Sequence, residues 1–187
     1  MSLQYVPVMA AKRGEFNAIT NLQDSVSAKI FPLFELPSKK PDAKVVESTI
    51  TRTATNAGKA WSNRAAFLDI SKWGPNARTE SGIHVLEYAF SQFRSKGVLT
   101  HPVVGYDRWD DPDYSQTLKN IRKTYPVTPC IRLDREAIKD DVPDLPYFSS
   151  RMNDIMAALE VGPNNCYVVV DFGDVSTTAV PDIIEDT

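Results

Sequence analysis

Apolar residues gather along the chain in six short runs, at 5–9, 30–35, 65–69, 102–107, 129–134 and 167–171, and all but the first close on a carboxylate. Their length and their β-branched and aromatic content predict buried strands. Segments with the helical period lie between them. Residues 42–61 put Val46, Ile50, Ala54, Ala57 and Trp61 on one stripe, with Asp42 as N-cap. Residues 81–96 do the same with Ile83, Leu86, Phe90 and Phe93, and Gly97 stands where a C′ glycine belongs. Residues 115–125 carry Leu118, Ile121 and Tyr125 up to Pro126, and residues 150–161 carry Met152, Ile155, Met156 and Leu159 up to Gly162. A first helix near 14–22 carries Phe16, Ile19 and Leu22.

Strand followed by helix, repeated along the chain, predicts right-handed βαβ units and a parallel sheet. The strand starts fall roughly 32 residues apart, the spacing of a (β/α)8 barrel, where about 250 residues make eight units. With six strands expected, the fold is an incomplete TIM-like (β/α) barrel; the alternative is a doubly wound open parallel sheet. The domain reading is a single α/β domain over residues 1–187. After Asp174, Pro181 stands at the N1 position of an expected sixth helix. Pro7, Pro32, Pro102 and Pro129 strain the strand assignment unless each opens its strand.

Alternation along the strands favours the barrel. Phe31, Leu33 and Glu35 share one phase, as do Ala65, Phe67 and Asp69; Val103, Gly105 and Asp107; Cys130, Arg132 and Asp134; and Tyr167, Val169 and Asp171. The opposite phase (Phe34, Leu68, Val104, Ile131, Leu133, Val170) is apolar throughout, as helix-facing positions should be. Arg132 in mid-strand needs carboxylate partners, and a barrel lumen supplies them. Arg132 is therefore expected to face inward and to pair with Asp69, Asp107 or Asp171.

The strand ends carry the candidate chemistry. Glu35, Asp69, Asp107, Asp134 and Asp171, with Arg132 among them, fall where barrel enzymes place catalytic groups. Asp69, Asp107 and Asp171 could hold Mg²⁺ through oxygen ligands, although no cofactor is required. The bland alternative is a structural charge network at polar loop starts, and it is the commoner outcome. Lys12, Arg13 and Glu15 follow the first run and could clamp an anion, or form a solvated turn in which Glu15 complements the helix dipole. Trp73 and Trp109 lie just past strand ends, as binding platforms or, more commonly, as rings closing over the barrel mouth or a helix end.

Composition narrows the classes. The 187 residues are 42% hydrophobic, 10% aromatic and 24% charged, enough for a full core. A net charge of −3 argues against a nucleic-acid binder. No apolar run approaches the ~18 residues of a membrane span. Lys12 and Arg13 follow the first apolar stretch instead of preceding it, so it does not read as a signal peptide. Together with two cysteines (Cys130 and Cys166) this fits a cytoplasmic protein with free, buried thiols. Of the two histidines, His84 reads as lying within a helix and His101 as preceding strand four, which disfavours a Ser-His-Asp triad or a His-rich zinc site. There is no Walker loop and no GxGxxG.

The ordered set Tyr5-Val-Pro-Val, Lys12-Arg-Gly-Glu15-Phe, Ile30-Phe-Pro-Leu-Phe-Glu35, Phe67-Leu-Asp69, Pro102-Val-Val-Gly, Cys130-Ile-Arg-Leu-Asp134 and Asp171-Phe-Gly-Asp174 resembles the phage and prophage beta protein family. That family is similar to the beta protein of a satellite phage, associated with countering the lethal effect of a neighbouring phage gene. Members are typically longer, so the resemblance implies the N-terminal portion of a longer barrel. The family pattern also has a second basic residue near position 10, where this chain has Ala10. The resemblance implies a cytoplasmic phage accessory protein that binds a protein partner, such as a toxin or host factor, without nucleic acid or membrane. The alternative function is a metal-assisted hydrolase of the phosphoester type. Strand six, β-branched and lacking proline and lysine, would leave an open edge, so self-association through it is expected.

Overall fold

A computed structural model of the chain describes residues 5–38 and 45–173. Two compact units divide it, Met1–Val103 and Val104–Thr187. Asp42, Asp174 and Pro181 lie outside the described residues, as does the expected sixth helix.

The first unit holds strands β1 (Val8–Ala10), β2 (Leu33–Glu35), β3 (Ala65–Asp69) and most of β4 (Leu99–Gly105), with helices α1 (Arg13–Thr20), α2 (Asp24–Ser27), α3 (Val46–Trp61) and α4 (Val85–Ser95). The strands are parallel and in register, Ala10 beside Glu35, Glu35 beside Asp69, and Leu68 beside Pro102. The apolar stripes do what their spacing predicts. Val46, Ile50, Ala54, Ala57 and Trp61 of α3 are buried, as are Leu86, Ala89, Phe90 and Phe93 of α4. Phe34 meets Phe16 of α1 at 5.4 Å between ring centroids and Phe93 of α4 at 6.5 Å, so it faces the helices. The opposite phase makes its own stack: Phe31 lies 4.4 Å from Phe67 and 5.7 Å from His101.

The second unit takes the end of β4, then β5 (Cys130–Leu133) and β6 (Tyr167–Val170), which pair in parallel from Cys130–Tyr167 to Leu133–Val170. Helices α5 (Pro112–Thr124) and α6 (Leu145–Ala158) start at Asp111 and Asp144, whose carboxylates accept from Tyr114 N at 3.0 Å and Tyr147 N at 3.2 Å. Neighbouring strands follow chain order in both units, without the reversal of a doubly wound sheet. The protein is α/β, with six parallel strands in the order of an incomplete (β/α) barrel.

Several expectations are corrected by local chemistry. Pro7, Pro32 and Pro129 do sit just before strands, and each lends a carbonyl: to Leu33 N at 2.9 Å, Phe67 N at 2.9 Å and Tyr167 N at 3.0 Å. Pro102 lies inside β4 instead. Leu99 N donates to Arg64 O, so the alternate amides 99, 101 and 103 face β3 and the proline leaves that ladder intact. His101 is likewise a β4 residue and does not precede the strand. His84 is the N-cap of α4, not an interior residue: its Nδ1 accepts from Leu86 N at 3.1 Å and its Nε2 contacts Pro75 O at 2.7 Å. Ile83, which lies before that cap, is 40% exposed and leaves the stripe. Val170, read as helix-covered, is 49% exposed, and Val168 beside it is 50% exposed.

Candidate functional site

The first unit gathers its charged residues after β1, β2 and β3. Glu35 and Asp69 end adjacent strands in register. Asp69 is buried, and its Oδ1 accepts from Ser71 N at 2.9 Å, which turns the chain sharply out of β3. Ser71 Oγ then donates to Glu35 Oε1 at 3.2 Å, and Lys72 Nζ lies 4.0 Å from the same oxygen. Trp73 is half-buried and donates its Nε1 to Leu36 O at 3.2 Å, just past the end of β2.

Glu15, on the first turn of α1, differs from its acidic neighbours. Its Oε2 is shut away from solvent with no hydrogen-bond partner. Burial pushes its carboxyl above the ordinary Glu range; Lys12 pulls it back, and the charge of Glu35 pushes it further up. Lys12 precedes the helix and donates its N–H to Ala10 O at 2.7 Å, while its side chain and that of Arg13 are exposed. Sequence reasoning placed Glu15 here as a dipole partner or anion clamp. Its association with Glu35 came from strand packing, which local spacing does not carry.

In the second unit most acidic side chains have structural work. Asp134 accepts from Ala137 N at 2.8 Å and starts the wide π-helical turn Ala137–Asp141. Asp107 sits in a 3-10 turn (Tyr106–Arg108) and pairs with Arg108 at 3.2 Å. Trp109 is half-buried, with Lys119 Nζ 5.8 Å from its ring centroid. Arg132 points its Nε at Asp171 Oδ2, 2.9 Å away, and Nη2 binds the same oxygen. Asp171 Oδ1 also accepts from Gly173 N at 2.9 Å. The Arg132–Asp171 pair follows from the shared phase of adjacent strand ends, as expected.

One group was missed. Arg151 of α6 donates to Tyr106 O at 3.0 Å and pairs with Asp110 at 3.0 Å, its guanidinium 4.7 Å from the Tyr106 ring centroid. The Tyr106 hydroxyl is buried with no partner at hydrogen-bonding geometry. Burial first, then the nearby Asp141 carboxylate, hold it protonated well above the usual phenol range. The sequence separations are about forty residues, so no local pattern signals the contact; a Tyr at a strand end was the available hint. Cys130 is buried as expected, but Cys166, which precedes β6, is only half-buried, a correction to the reading of two buried thiols; burial raises its thiol, with a backbone hydrogen bond at Ile131 opposing.

Among the described residues, no three of His, Cys, Asp and Glu gather as a metal-holding group. Among them, too, no helix is long and apolar enough to cross a membrane. The first unit thus sets Glu15, its carboxyl raised by burial, near Lys12 and Glu35, with Lys72 beside Glu35, and the second unit holds three arginine–carboxylate pairs, Arg108–Asp107, Arg132–Asp171 and Arg151–Asp110.

No curated protein and no solved structure matches the chain. The family model described as Beta protein matches residues 5–187, nearly the whole length. The ordered motifs and this match agree, and the chain belongs to the Beta protein family.

Proposed function

We propose that this Beta-family protein is a cytoplasmic, non-enzymatic accessory factor that binds a protein partner by strand addition at β6. The observation that carries the reading is the outer strand itself. β6 has β5 as its one described strand neighbour, and Val168 and Val170 stay half-exposed on it. Tyr167 N donates to Pro129 O and Asp171 N to Leu133 O, so the amides at 167, 169 and 171 face β5. Those of Val168 and Val170 face away from β5, where an added strand gains main-chain bonds. The resemblance to phage proteins points to a phage-encoded toxin or a host factor as the partner class. The same edge gives a second copy of this chain a place to pair, so partner binding and self-association compete.

Sedimentation velocity over a range of concentrations tests the edge. The expected result is reversible association that Val168→Pro abolishes while the far-ultraviolet circular dichroism stays unchanged. Val169→Pro is the contrast, because it breaks the β5–β6 ladder and should unfold the strand. A monomer at every concentration, indifferent to Val168→Pro, would remove the reading. Stabilisation by Mg²⁺ or Mn²⁺ that Asp69→Asn or Asp171→Asn removes would replace it with the metal-assisted hydrolase.

A further inference from the structure

A cavity of about 330 Å³ opens between the last turns of α5 and α6, lined by Lys119, Arg122, Lys123, Ala158, Leu159 and Glu160. Its volume is that of a small-ligand site. Lys119, Arg122 and Lys123 stand at i, i+3 and i+4, so three positive charges crowd one helix face and repel each other. None of the three forms an ion pair with a described carboxylate. Arg122 Nε is shut away from solvent with no hydrogen-bond partner. A buried guanidinium donor left unmade is costly, and it sits in a residue that lines the cavity.

The far wall carries a second irregularity. Glu160, just past the C-cap of α6, has φ of +55°, the left-handed conformation that ordinarily selects glycine. Glu160 N donates to Ala157 O at 3.1 Å and Val161 N to Met156 O at 3.0 Å, so the cap is a Schellman turn with a charged residue at its glycine position. Strain of this kind is held where the surroundings over-determine it. Three cations against one carboxylate leave two positive charges in the lining. That matches the dianion of a phosphate monoester, with its three strong acceptor oxygens. Ala158 and Leu159 are the apolar members of the lining.

We propose that this cavity binds a small phosphomonoester, its phosphoryl group held by Lys119, Arg122 and Lys123 and its organic part against Ala158 and Leu159. The site is independent of the β6 edge and uses none of its residues. A small molecule fits better than nucleic acid, because the charges line one cavity on a chain of net charge −3.

Titration calorimetry on the full chain at fixed ionic strength tests this with phenyl phosphate, inorganic phosphate, phenol and a single-stranded oligonucleotide. Phenyl phosphate should bind saturably and more tightly than inorganic phosphate, and phenol should not bind. Arg122→Gln should weaken phenyl phosphate binding by about tenfold or more. Glu160→Gln and Glu160→Gly should tighten it, and the glycine variant also relieves the positive φ, so it reports on the site if Arg122→Gln fails to fold. Absence of saturable heat with phenyl phosphate, or equal affinity in wild type and all three variants, would overturn the proposal. So would oligonucleotide affinity that exceeds phenyl phosphate and grows with length, which would mark a nucleic-acid surface.

Discussion

Glu15 and Arg132 show how differently two charged residues can be read from the same sequence. Arg132 was legible because strand alternation fixes its face, and an arginine there needs a carboxylate within reach; Asp171 on the adjacent strand supplies it. Glu15 was legible only as a first-turn acid. The orphaned Oε2 and the proximity of Glu35 arise from packing of α1 against β2, which no short-range pattern encodes. The pH consequence follows with a definite sign. Because the folded carboxyl titrates above the ordinary Glu value of 4.5, the fold binds its proton more tightly than the unfolded chain does. Stability tied to this group is therefore complete below 4.5 and is lost as pH rises from there through the raised value. Glu15→Gln cannot ionise and should flatten that part of the curve, leaving the variant relatively more stable at neutral pH. Urea unfolding at a series of pH values checks it; parallel curves for the two proteins would show that Glu15 does not titrate abnormally.

The elements were readable where one rule acted alone. Five helical segments and the glycine stop after α4 follow from period and capping: Gly97 adopts φ of +85°, Gly97 N reaches Arg94 O, and Val98 N reaches Phe93 O. Boundaries failed where two rules competed. His84 looked helical by position, yet its ring nitrogen caps α4 and moves the start to Val85. Pro102 looked like a strand opener, yet the amides that face β3 are those of 99, 101 and 103, so a proline at 102 passes within β4 without breaking that ladder. The short α2 and the π-helical turn after β5 have too few residues to show a period at all. Gly58 illustrates what periodicity cannot reveal about a helix. It sits in the last turn of α3, where glycine is still unfavourable, but a Cβ there would collide with the backbone carbonyl of Lys96 just after α4. Propensity favours Gly58→Ala, whereas packing opposes it. The backbone clash should win, with a net loss of about 1–3 kcal/mol in chemical denaturation. An alanine variant as stable as wild type would mean the two helices can separate at little cost.

At the scale of the whole molecule, the regular spacing of apolar runs carried the α/β class and the parallel, unreversed strand order, and the ordered motifs carried the family. Burial on the last strand was the part the pattern misread. Val170 belongs to the same apolar phase as Ile131 and Leu133, both buried, but it remains half-exposed together with Val168. Phase tells which face a residue takes, and it cannot tell whether anything covers that face. Two β-branched side chains beside outward amides favour pairing with another strand over hydration. If copies of the chain pair there, only the folded form gains, and the thermal midpoint must rise with protein concentration by mass action. Val168→Lys should remove that dependence by placing a charge beside the edge. It should leave the midpoint at high dilution close to wild type, because the position is already half-exposed and surface changes of this kind usually cost within about 0.5 kcal/mol. Calorimetric scans across a wide concentration range separate the outcomes. A concentration-independent midpoint in the wild type would show that the edge is already satisfied within one chain, and the partner-binding surface would then have to be sought elsewhere.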